Sequence, residues 1–334
     1  MNRKQKLRIK AKLVANPYFM SMMAWCTRHT PKFFMLHRFI PGESDSFMAM
    51  SAGRFEKQLQ VLKKGPWQIV TLGDYLQLRQ QQQKIPPYLI VLTIDDGYLD
   101  FYKIAFPLLK KYNLPATFFV TTEFVNGNFW LWHDRIHYVL GHAKTKEFSF
   151  VLDGQEQSFN IRESTDRFNT WKTFSDYCIQ ARDDVKFETL AKLEKTLDVI
   201  LPKSPPDEYA AVSWEQLREM AANNIEIGSH TCNHPILSKI NMSKLEEEIA
   251  LSKKIITEKL NIPVYSFCYP NGQDNDINDH VVESVEQAKY LGAVQGSNRD
   301  FSHLFRLPRM GIGNDLIDFH WKLCGLESLL HNHG

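Results

Sequence analysis

Short apolar runs alternate with helix-like stretches along most of the 334-residue chain, and this alternation restricts the fold more than any other feature. Strands separated by helices pair in parallel, because each helix returns the chain to the same edge of the sheet. The pattern therefore predicts an α/β fold, a parallel sheet or barrel with crossover helices. The predicted strands are the apolar runs 33–36, 88–94, 116–121, 225–229, 264–268 and 291–295.

Two of the helix-like stretches begin with a recognisable N-terminal signal. Ser213 is followed three residues later by Gln216, and Ser243 is followed three residues later by Glu246. Each pair has the form of a capping box, in which the serine hydroxyl and the Gln or Glu side chain bind backbone N–H groups of the first turn. We predict helices that start directly after Ser213 and Ser243.

The stretch from about 124 to 210 interrupts the alternation. It mixes charged and aromatic residues and ends in the proline-rich segment SPPDE at 204–208. We interpret it as a helical or mixed insertion between a strand and the following helix. The predicted organisation is a basic N-terminal segment over residues 1–30 and a barrel over residues 31–334, with the 124–210 insertion as a cap.

Composition excludes several classes of protein. The 40 basic and 38 acidic residues give a net charge of +2, which provides no strong field for nucleic acid. No apolar run approaches the roughly 20 residues that a membrane-spanning helix requires. The five cysteines are widely spaced without a C-x-x-C pair, so neither a disulfide framework nor a cysteine-based zinc site is predicted. We expect a cytoplasmic protein without a nucleic-acid partner.

The N-terminus is strongly basic, with six Lys or Arg among the first twelve residues. It lacks the continuous apolar core and the small-residue cleavage site of a secretory signal. One interpretation is peripheral contact with anionic lipid on the inner face of the membrane, through Leu7, Ile9, Leu13 and Val14. The alternative is a solvated terminus that contacts nothing.

The segment VLTIDDGYLD at 91–100 places two adjacent carboxylates at the end of a wholly apolar strand. Asp-Gly is a strong turn former, so Asp96 and Gly97 could serve only to turn the chain. A strand without polar alternation is buried on both faces, however, and its carboxyl end lies at the rim where α/β proteins place their ligands. Asp95 and Asp96 are therefore candidate site residues.

Three further polar motifs follow predicted strands. His230 and His234 lie four residues apart in GSHTCNHP, a spacing that brings two imidazoles together, although chance gives such pairs in a chain with 12 histidines. FCYPNG at 267–272 predicts either a constrained loop with inward N–H groups or an ordinary turn. His37 ends the first strand, where a histidine is more often structural than functional.

All four motifs are predicted at the carboxyl ends of strands, and in a parallel sheet these ends meet at one edge. One carboxylate and two imidazoles, with positions left for water, make a divalent metal site of the hydrolytic kind. The residues therefore predict a metal-dependent hydrolase.

Three of these motifs resemble those of one enzyme family. TIDDG at 93–97 is similar to the T-F-D-D-G motif of the polysaccharide deacetylases with a NodB-homology domain. HTCNHP at 230–235 is similar to their H-[ST]-x-x-H-P, and FCYPNG is similar to the F-A-Y-P-x-G variant of their third motif. The resemblance covers about residues 33–125 and 210–315, which leaves the insertion uncovered.

The resemblance implies a fold, an activity and the roles of individual residues. The fold would be a distorted (β/α) barrel, usually seven-stranded, and the activity would be metal-dependent removal of acetyl groups from N-acetylated sugars. Asp96, His230 and His234 would hold the metal. Asp95, beside the metal but not bound to it, would be the general base.

The resemblance is incomplete in the third motif and at the general acid. Cys268 stands where many members have an arginine that orients the base, and Asn271 stands where a tyrosine is usual. Arg306 or Arg309 in FRLPRMG could supply the guanidinium, and we assign Arg309. The C-terminal Leu-x-His acid motif of the family is missing, so His37 is assigned as the general acid. The backbone N–H of Asn271 would bind the oxyanion.

The expected cofactor is a divalent metal, with Zn²⁺ favoured by ligand type and affinity order, and with Co²⁺, Ni²⁺ or Mn²⁺ as alternatives. The expected substrate is an acetylated glycan, either a polysaccharide or an oligosaccharide, or an acetylated glycolipid. Two other functions would use the same residues. One is metal-dependent hydrolysis of a non-sugar amide, and the other is glycan binding without catalysis.

The insertion contains the aromatic segment NFWLWHDRIHYVL at 128–140. Its polar and aromatic residues could cap the barrel mouth and stack on sugar faces. These residues are Trp130, Trp132, His133, Asp134 and Arg135. The alternative is an amphipathic helix that covers the barrel with Leu131, Ile136 and Leu140 turned inward.

Overall fold

The strands of this protein form one large parallel sheet and two small sheets. The structure is a computed structural model that describes residues 10–43, 49–127, 129–296 and 300–327. The strands within these ranges are β1 (Lys32–Leu36), β2 (Arg38–Ile40), β3 (Ala49–Ser51), β4 (Gln68–Val70), β5 (Leu89–Ile94), β6 (Ala116–Val120), β7 (Glu147–Leu152), β8 (Gln155–Asn160), β9 (Ile225–Ser229), β10 (Ser266–Cys268), β11 (Gly292–Gln295), β12 (Leu307–Pro308) and β13 (Met310–Gly311).

The large sheet closes almost completely into a barrel. Its strands follow the order β12-β11-β10-β9-β6-β5-β1-β13, every neighbouring pair is parallel, and β4 adds to the edge of β5. β12 pairs with β11, β13 pairs with β1, and only Arg309 separates β12 from β13. The two ends of the pairing order are therefore adjacent in sequence, which confirms the predicted (β/α) barrel.

The predicted number of barrel strands was wrong, because the pairing order contains eight strands rather than seven. The difference arises at the closing segment. Residues 307–311 pair with two different strands, first with β11 and then with β1, and the backbone leaves the ladder at Arg309. Two two-residue strands therefore form the closing segment.

The central strand β5 shows why an uninterrupted apolar run was needed. All six of its residues are buried. Ile90, Leu92 and Ile94 pack in the main core between the sheet and its outer helices. Leu89 and Val91 point the other way, into the barrel interior. β5 is therefore buried on both faces, as its uninterrupted apolar run predicts.

Helices surround the barrel and close its lower end, which is the end opposite the carboxyl ends of its strands. They are α1 (Pro17–Cys26), α2 (Ala52–Lys64), α3 (Leu72–Gln80), α4 (Phe106–Tyr112), α5 (Thr122–Val125), α6 (Trp132–His142), α7 (Ser164–Gln180), α8 (Asp183–Thr196), α9 (Trp214–Ala221), α10 (Met242–Leu260), α11 (Asp279–Gln287) and α12 (Leu316–Leu323). Short turns of 3-10 helix lie at Asp207–Tyr209, Leu237–Lys239 and Asp274–Asp276, and a π-helical turn lies at Phe101–Ala105. Leu72, Tyr75 and Leu76 of α3 fill the barrel interior opposite the strand ends that carry the polar motifs.

One of the two predicted helix starts is confirmed and the other is wrong. α9 begins after Ser213, whose side chain forms the complete capping box with Gln216. α10 begins after Asn241 instead of Ser243, and the Asn241 side chain accepts a hydrogen bond from the N–H of Lys244. Asparagine caps a helix as well as serine does, so the helix begins two residues earlier, after Asn241, and Ser243 lies inside its first turn.

The 124–210 insertion packs around a hydrophobic cluster of its own. It contains α6, the antiparallel hairpin β7–β8, α7 and α8. The buried side chains that they share are Trp132, Ile136, Val139, Leu140, Ala143, Phe150, Leu152, Phe159, Ile161, Phe174, Cys178, Leu190, Leu193 and Leu197. This separate core explains how a long segment can leave the barrel after β6 and return before α9.

The described part of the N-terminal segment packs against the lower end of the barrel. Leu13 and Val14 contact a cluster that includes Met20, Trp321 and Leu326, whereas Leu7 and Ile9 lie outside the described residues. Among the described helices, none is both long enough and apolar enough to cross a membrane.

Candidate active site

One pocket collects the polar motifs of the sequence. It has a volume of about 300 Å³ and lies at the carboxyl ends of the strands. All seven residues that the sequence nominated line it: His37, Asp95, Asp96, His230, His234, Asn271 and Arg309. The edge of the parallel sheet thus brings together side chains that are far apart in the chain.

Asp96, His230 and His234 form a compact group of possible metal ligands. One ligand atom from each residue lies within 4.8 Å of the others, and all three residues are buried. The Oδ1 atom of Asp96 stands 3.4 Å from the Nε2 atom of His230 and 3.4 Å from that of His234. Ligand atoms that are about 2.1 Å from a tetrahedral ion stand roughly 3.4 Å apart, so the spacing fits one divalent ion.

The hydrogen bond of His230 supports this fit. Its Nδ1 atom is 2.7 Å from the carbonyl oxygen of Cys268, and a carbonyl only accepts, so Nδ1 carries a hydrogen. Burial would lower the pKa of His230, but Cys268 and the Asp96 carboxylate raise it above its usual value, so the ring can also donate from Nε2 to Asp96. A metal ion at this position would take the place of that proton. Fixing the other ring nitrogen by a backbone carbonyl is also how proteins orient histidine ligands.

His234 is held by its backbone more than by its ring. Its N–H donates to the Thr231 hydroxyl over 2.9 Å, and its Nδ1 atom is buried without a hydrogen-bond partner in the described structure. Burial lowers the pKa of His234 to about 4, so the ring is neutral.

A second group of possible ligands overlaps the first. Asp95, His230 and Cys268 also offer atoms within 4.8 Å of one another. Both oxygens of Asp95 already bind Arg309, however, and burial raises the pKa of the Cys268 thiol above its usual value. The group around Asp96 is therefore the better metal site.

Asp95 and Arg309 form a bidentate ion pair. Nη1 of Arg309 donates to Oδ1 over 2.7 Å and Nη2 donates to Oδ2 over 2.8 Å, and both side chains are almost completely buried. Burial by itself would raise the pKa of Asp95, but the charge and hydrogen bonds of Arg309 outweigh it, and the pKa lies below its usual value. Asp95 is held as a carboxylate in a fixed orientation.

The surroundings of Arg309 explain the unusual third motif. The guanidinium also donates to the Thr93 hydroxyl over 3.0 Å and lies 3.1 Å from the Cys268 sulfur. Cys268, which stands where many family members were expected to have arginine, thus packs against an arginine from another segment. Arg306 points elsewhere and pairs with Asp279 over 3.2 Å.

His37 and Asn271 complete the group of nominated residues. Nε2 of His37 is 3.6 Å from Oδ2 of Asp95, and its side chain is 44% exposed, so it lies on the open side of the pocket. Asn271 has a left-handed backbone with φ of 60°, and its side chain donates to Asp276.

Left-handed backbone conformations concentrate at this pocket. Asp96, Thr231, His234 and Asn271 have φ values of 79°, 69°, 54° and 60°. A non-glycine residue in this region is uncommon and costs on the order of 1–3 kcal/mol. Gly97, with φ of 103°, continues the turn after Asp96. These turns direct consecutive polar side chains into one small volume.

Glu248 is a supporting residue that the sequence analysis missed. It lies on α10 and is buried. Its Oε2 atom accepts from the N–H groups of Cys232 and Asn233 over 2.8 Å, and its Oε1 atom accepts from the Asn233 amide over 2.7 Å. It therefore fixes the loop between His230 and His234. The available signal was an acid three residues after Leu245 on the buried face of a predicted helix.

The insertion forms the opposite wall of the pocket. Trp132, His133 and Asp134 of α6 line it, as do Trp171, Ser175 and Ile179 of α7. Leu131, Ile136 and Leu140 are buried as well, but Ile136 and Leu140 pack in the hydrophobic cluster of the insertion itself. Stacking of the aromatic residues on sugar faces stays a prediction. Trp130 and Arg135 face other parts of the protein, where they bind the Pro202 carbonyl and Glu194.

A polar cluster joins this wall to the barrel. The Tyr98 hydroxyl is 2.7 Å from Oδ2 of Asp134 and 2.8 Å from Nε2 of His133. Arg38 lies over the Tyr98 ring at 3.9 Å and binds Asp100 over 2.6 Å. Burial raises the pKa of Asp134 to about 6 and lowers that of His133 to about 4.

A family comparison agrees with the motifs and with the barrel. The sequence profile of the family described as polysaccharide deacetylase matches residues 82–293, which is more than half of the chain. The chain belongs to the polysaccharide deacetylase family.

Individual relatives match only in part. The protein YxkH of Bacillus subtilis (strain 168) is 25% identical over 187 residues, which are 52% of this chain and 65% of YxkH. The poly-β-1,6-N-acetyl-D-glucosamine N-deacetylase of Staphylococcus aureus (strain MSSA476) is 34% identical over 77 residues, which are 23% of this chain and 26% of that enzyme. The chain thus spans less than two thirds of the length of either relative.

Solved structures of other deacetylases share the fold. The Streptococcus pyogenes deacetylase PplD, in complex with acetate, has a TM-score of 0.56 at 18% identity, with 85% of this chain and 93% of that chain covered. A de-N-acetylase from Aggregatibacter actinomycetemcomitans has a TM-score of 0.54 at 17% identity, with 85% and 95% covered. The deacetylase fold of this family member therefore includes most of the chain.

Proposed function

We propose that this protein is a metal-dependent N-deacetylase that releases acetate from an N-acetylated sugar. The observation that carries the proposal is the different environment of two adjacent carboxylates. Asp96 faces two histidines, whereas Asp95 is bound by Arg309 beside them. One carboxylate is thus available to a metal, and its neighbour is available as a base.

The metal would be held by Asp96, His230 and His234. When bound, it would lower the pKa of a water molecule and polarise the acetamide carbonyl. We propose Zn²⁺, since one carboxylate and two imidazoles suit it, and Co²⁺, Ni²⁺ or Mn²⁺ would be accepted by the same donors.

Different residues of the chain would then accept and donate the protons of the reaction. Asp95, kept ionised and oriented by Arg309, would accept the proton of the attacking water. The backbone N–H of Asn271 would donate to the oxygen that becomes negatively charged, and one such donor commonly contributes about 3–4 kcal/mol. His37, on the open side of the pocket, would donate a proton to the departing amine nitrogen. The products would be acetate and a free amino sugar.

The decisive experiment separates the base from the metal site. Asp95→Asn should retain stoichiometric metal and lose nearly all acetate release, whereas His230→Ala should lose both. Metal content and acetate release would be measured on an acetylated oligosaccharide. Wild-type turnover by Asp95→Asn would refute the base, and full metal content in His230→Ala would refute the ligand set.

The same assay distinguishes the alternative functions. Acetate released from small N-acyl compounds but from no glycan would indicate an amide hydrolase of another class. Tight glycan binding without acetate release would indicate a binding protein. Acetylated β-1,6-linked N-acetylglucosamine is the first glycan to test, because a relative with matching residues bears the name of that substrate. An acetylated glycolipid is the second.

We also propose that the protein works in the cytoplasm and contacts the inner face of the membrane. The basic N-terminal residues support this contact, and so does one face of α1, where Tyr18, Met22 and Trp25 are exposed. Flotation with anionic vesicles, compared with neutral vesicles, tests it. Equal flotation of a chain without residues 1–12 would refute the role of the basic segment.

A further inference from the structure

The wall that the insertion contributes has the chemistry of a sugar-binding surface. Trp132 and Trp171 provide aromatic faces, and His133 and Asp134 provide polar groups. The His133 ring lies edge-on against the His234 ring, with 6.1 Å between the ring centroids. A ligand that lies against both rings would therefore contact the insertion and the metal-binding group at the same time.

Hydrogen-bond accounting leaves acceptors on this wall. The Tyr98 hydroxyl has one hydrogen, and when Oδ2 of Asp134 accepts it, His133 must donate from Nε2 to the Tyr98 oxygen. The Nδ1 lone pair of His133 then remains. Oδ1 of Asp134 has the Arg38 guanidinium at 3.9 Å, which is beyond hydrogen-bond distance. Both atoms can accept from the hydroxyl groups of a sugar.

The pocket is walled on the side of β9. Lys239, in the loop after β9, donates to the carbonyl of Ile179 on α7. In the same loop Ser238 donates to the carbonyl of Asn275, in the loop after β10, over 3.3 Å. Hydrogen bonds thus join the insertion to the β9 loop and the β9 loop to the β10 loop, and Ile179, Ile236 and Asn271 of these segments line the pocket. At the other side His37 is partly exposed, so the pocket opens there.

A pocket closed at one end and a groove open at both ends bind different parts of a glycan. When an internal sugar unit is bound, the glycan must extend from the site in two directions, and the wall through Lys239 blocks one of them. A volume of about 300 Å³ also lies at the lower limit for small-molecule sites.

We infer that the pocket receives one terminal acetamido sugar, whose hydroxyl groups donate to Asp134 and His133 while the rest of the glycan leaves past His37. This inference rests on the proposed deacetylase function, and it adds that the sugar unit that loses its acetyl group lies at the end of the glycan. The enzyme is then end-acting, and its insertion is the specificity element.

Product mapping tests the position. The probe is a fully acetylated β-1,6-linked N-acetylglucosamine pentasaccharide, and mass-spectrometric fragmentation locates the first acetyl group lost. A terminal unit should lose acetate at least tenfold faster than any internal unit. Equal loss from internal units would overturn the inference while the deacetylase function stood. Absence of acetate release from this and every other acetylated glycan would refute both.

A substitution tests the contact. Asp134→Ala should raise KM for the pentasaccharide by about tenfold to a hundredfold, because a hydrogen bond to a charged group is lost, with kcat reduced less than threefold. Asp134→Asn should have a smaller effect, because it preserves the bond to Tyr98. The matched control is Asp153→Asn, at an exposed turn of the same insertion. Unchanged KM in Asp134→Ala, with wild-type metal content and Tm, would overturn the inference.

Discussion

At the scale of single residues, the site depends on how two neighbouring carboxylates are kept apart. Asp95 still follows the direction of β5 and reaches Arg309, whereas Asp96 has a left-handed backbone and faces the histidines. Burial opposes ionisation of both, yet hydrogen bonds and nearby charges hold the pKa of each below its usual value. A single turn thus gives identical functional groups different partners.

Replacement of Arg309 should change the pH dependence of the reaction. Arg309→Met removes the charge that keeps the pKa of Asp95 low, so burial will raise that pKa. Because the base acts ionised, the acidic limb of the kcat/KM profile should move to higher pH, and activity at pH 7 should fall by about 100-fold or more. The profile is measured as acetate release between pH 4 and 9.

Arg306→Met is the matched control, since Arg306 lies three residues away and pairs with an exposed carboxylate. Its profile should coincide with that of the wild type. An unshifted acidic limb in Arg309→Met would show that another group sets the ionisation of Asp95.

From the sequence, most of the residues that line the pocket could be predicted, but the choice between Arg306 and Arg309 could not be derived from a local pattern. Apart from Arg309, the residues assigned to the site follow apolar runs, and the edge of a parallel sheet brings such positions together. Arg306 and Arg309 belong to a closing segment with two-residue strands, β12 and β13, which are too short to display a side-chain period. The inward direction of Arg309 follows from pairing with β11 and β1, which only the folded barrel supplies.

At the scale of elements, the start of α10 provides a direct test of capping. Asn241→Ala should lower the free energy of unfolding by about 1 kcal/mol, because the N–H of Lys244 loses its partner. Ser243→Ala should change it by less than about 0.5 kcal/mol, because Ser243 lies within the helix at an exposed position. Urea unfolding measures both. A larger loss in Ser243→Ala than in Asn241→Ala would contradict the observed cap.

α10 also carries the side chain that fixes the histidine loop. Glu248→Ala removes three hydrogen bonds to Cys232 and Asn233, so the loop between the two histidines should loosen. Loss of such supporting contacts typically costs about 10- to 100-fold in metal affinity. Glu247→Ala, on the exposed side of the same helix, is the control. Competition with a zinc chelator gives both affinities, and equal values would exclude this role for Glu248.

At the scale of the whole molecule, the barrel was predictable and the cap contacts were not. Six of the eight strands in the pairing order coincide with a local apolar run, and their parallel pairing follows from the helices between them. The wall opposite the metal-binding group depends on how α6 and α7 dock over the barrel mouth, through contacts such as Tyr98 with Asp134. Such contacts join segments without a shared sequence pattern, so segment 128–140 supported two interpretations equally.

Metal removal should destabilise the entire fold. The proposed ligands come from the end of β5 and the loop after β9, and these segments meet only in the closed barrel. An unfolded chain lacks the site, so a metal at 100 times its Kd stabilises the native state by about 2.7 kcal/mol. For a chain of this length a chelator should therefore lower Tm by several degrees. The loss should persist in Asp95→Asn, which keeps the ligands, and vanish in His230→Ala, which lacks one. A wild-type Tm that is the same with saturating zinc and with excess chelator would exclude a metal bound at these three residues.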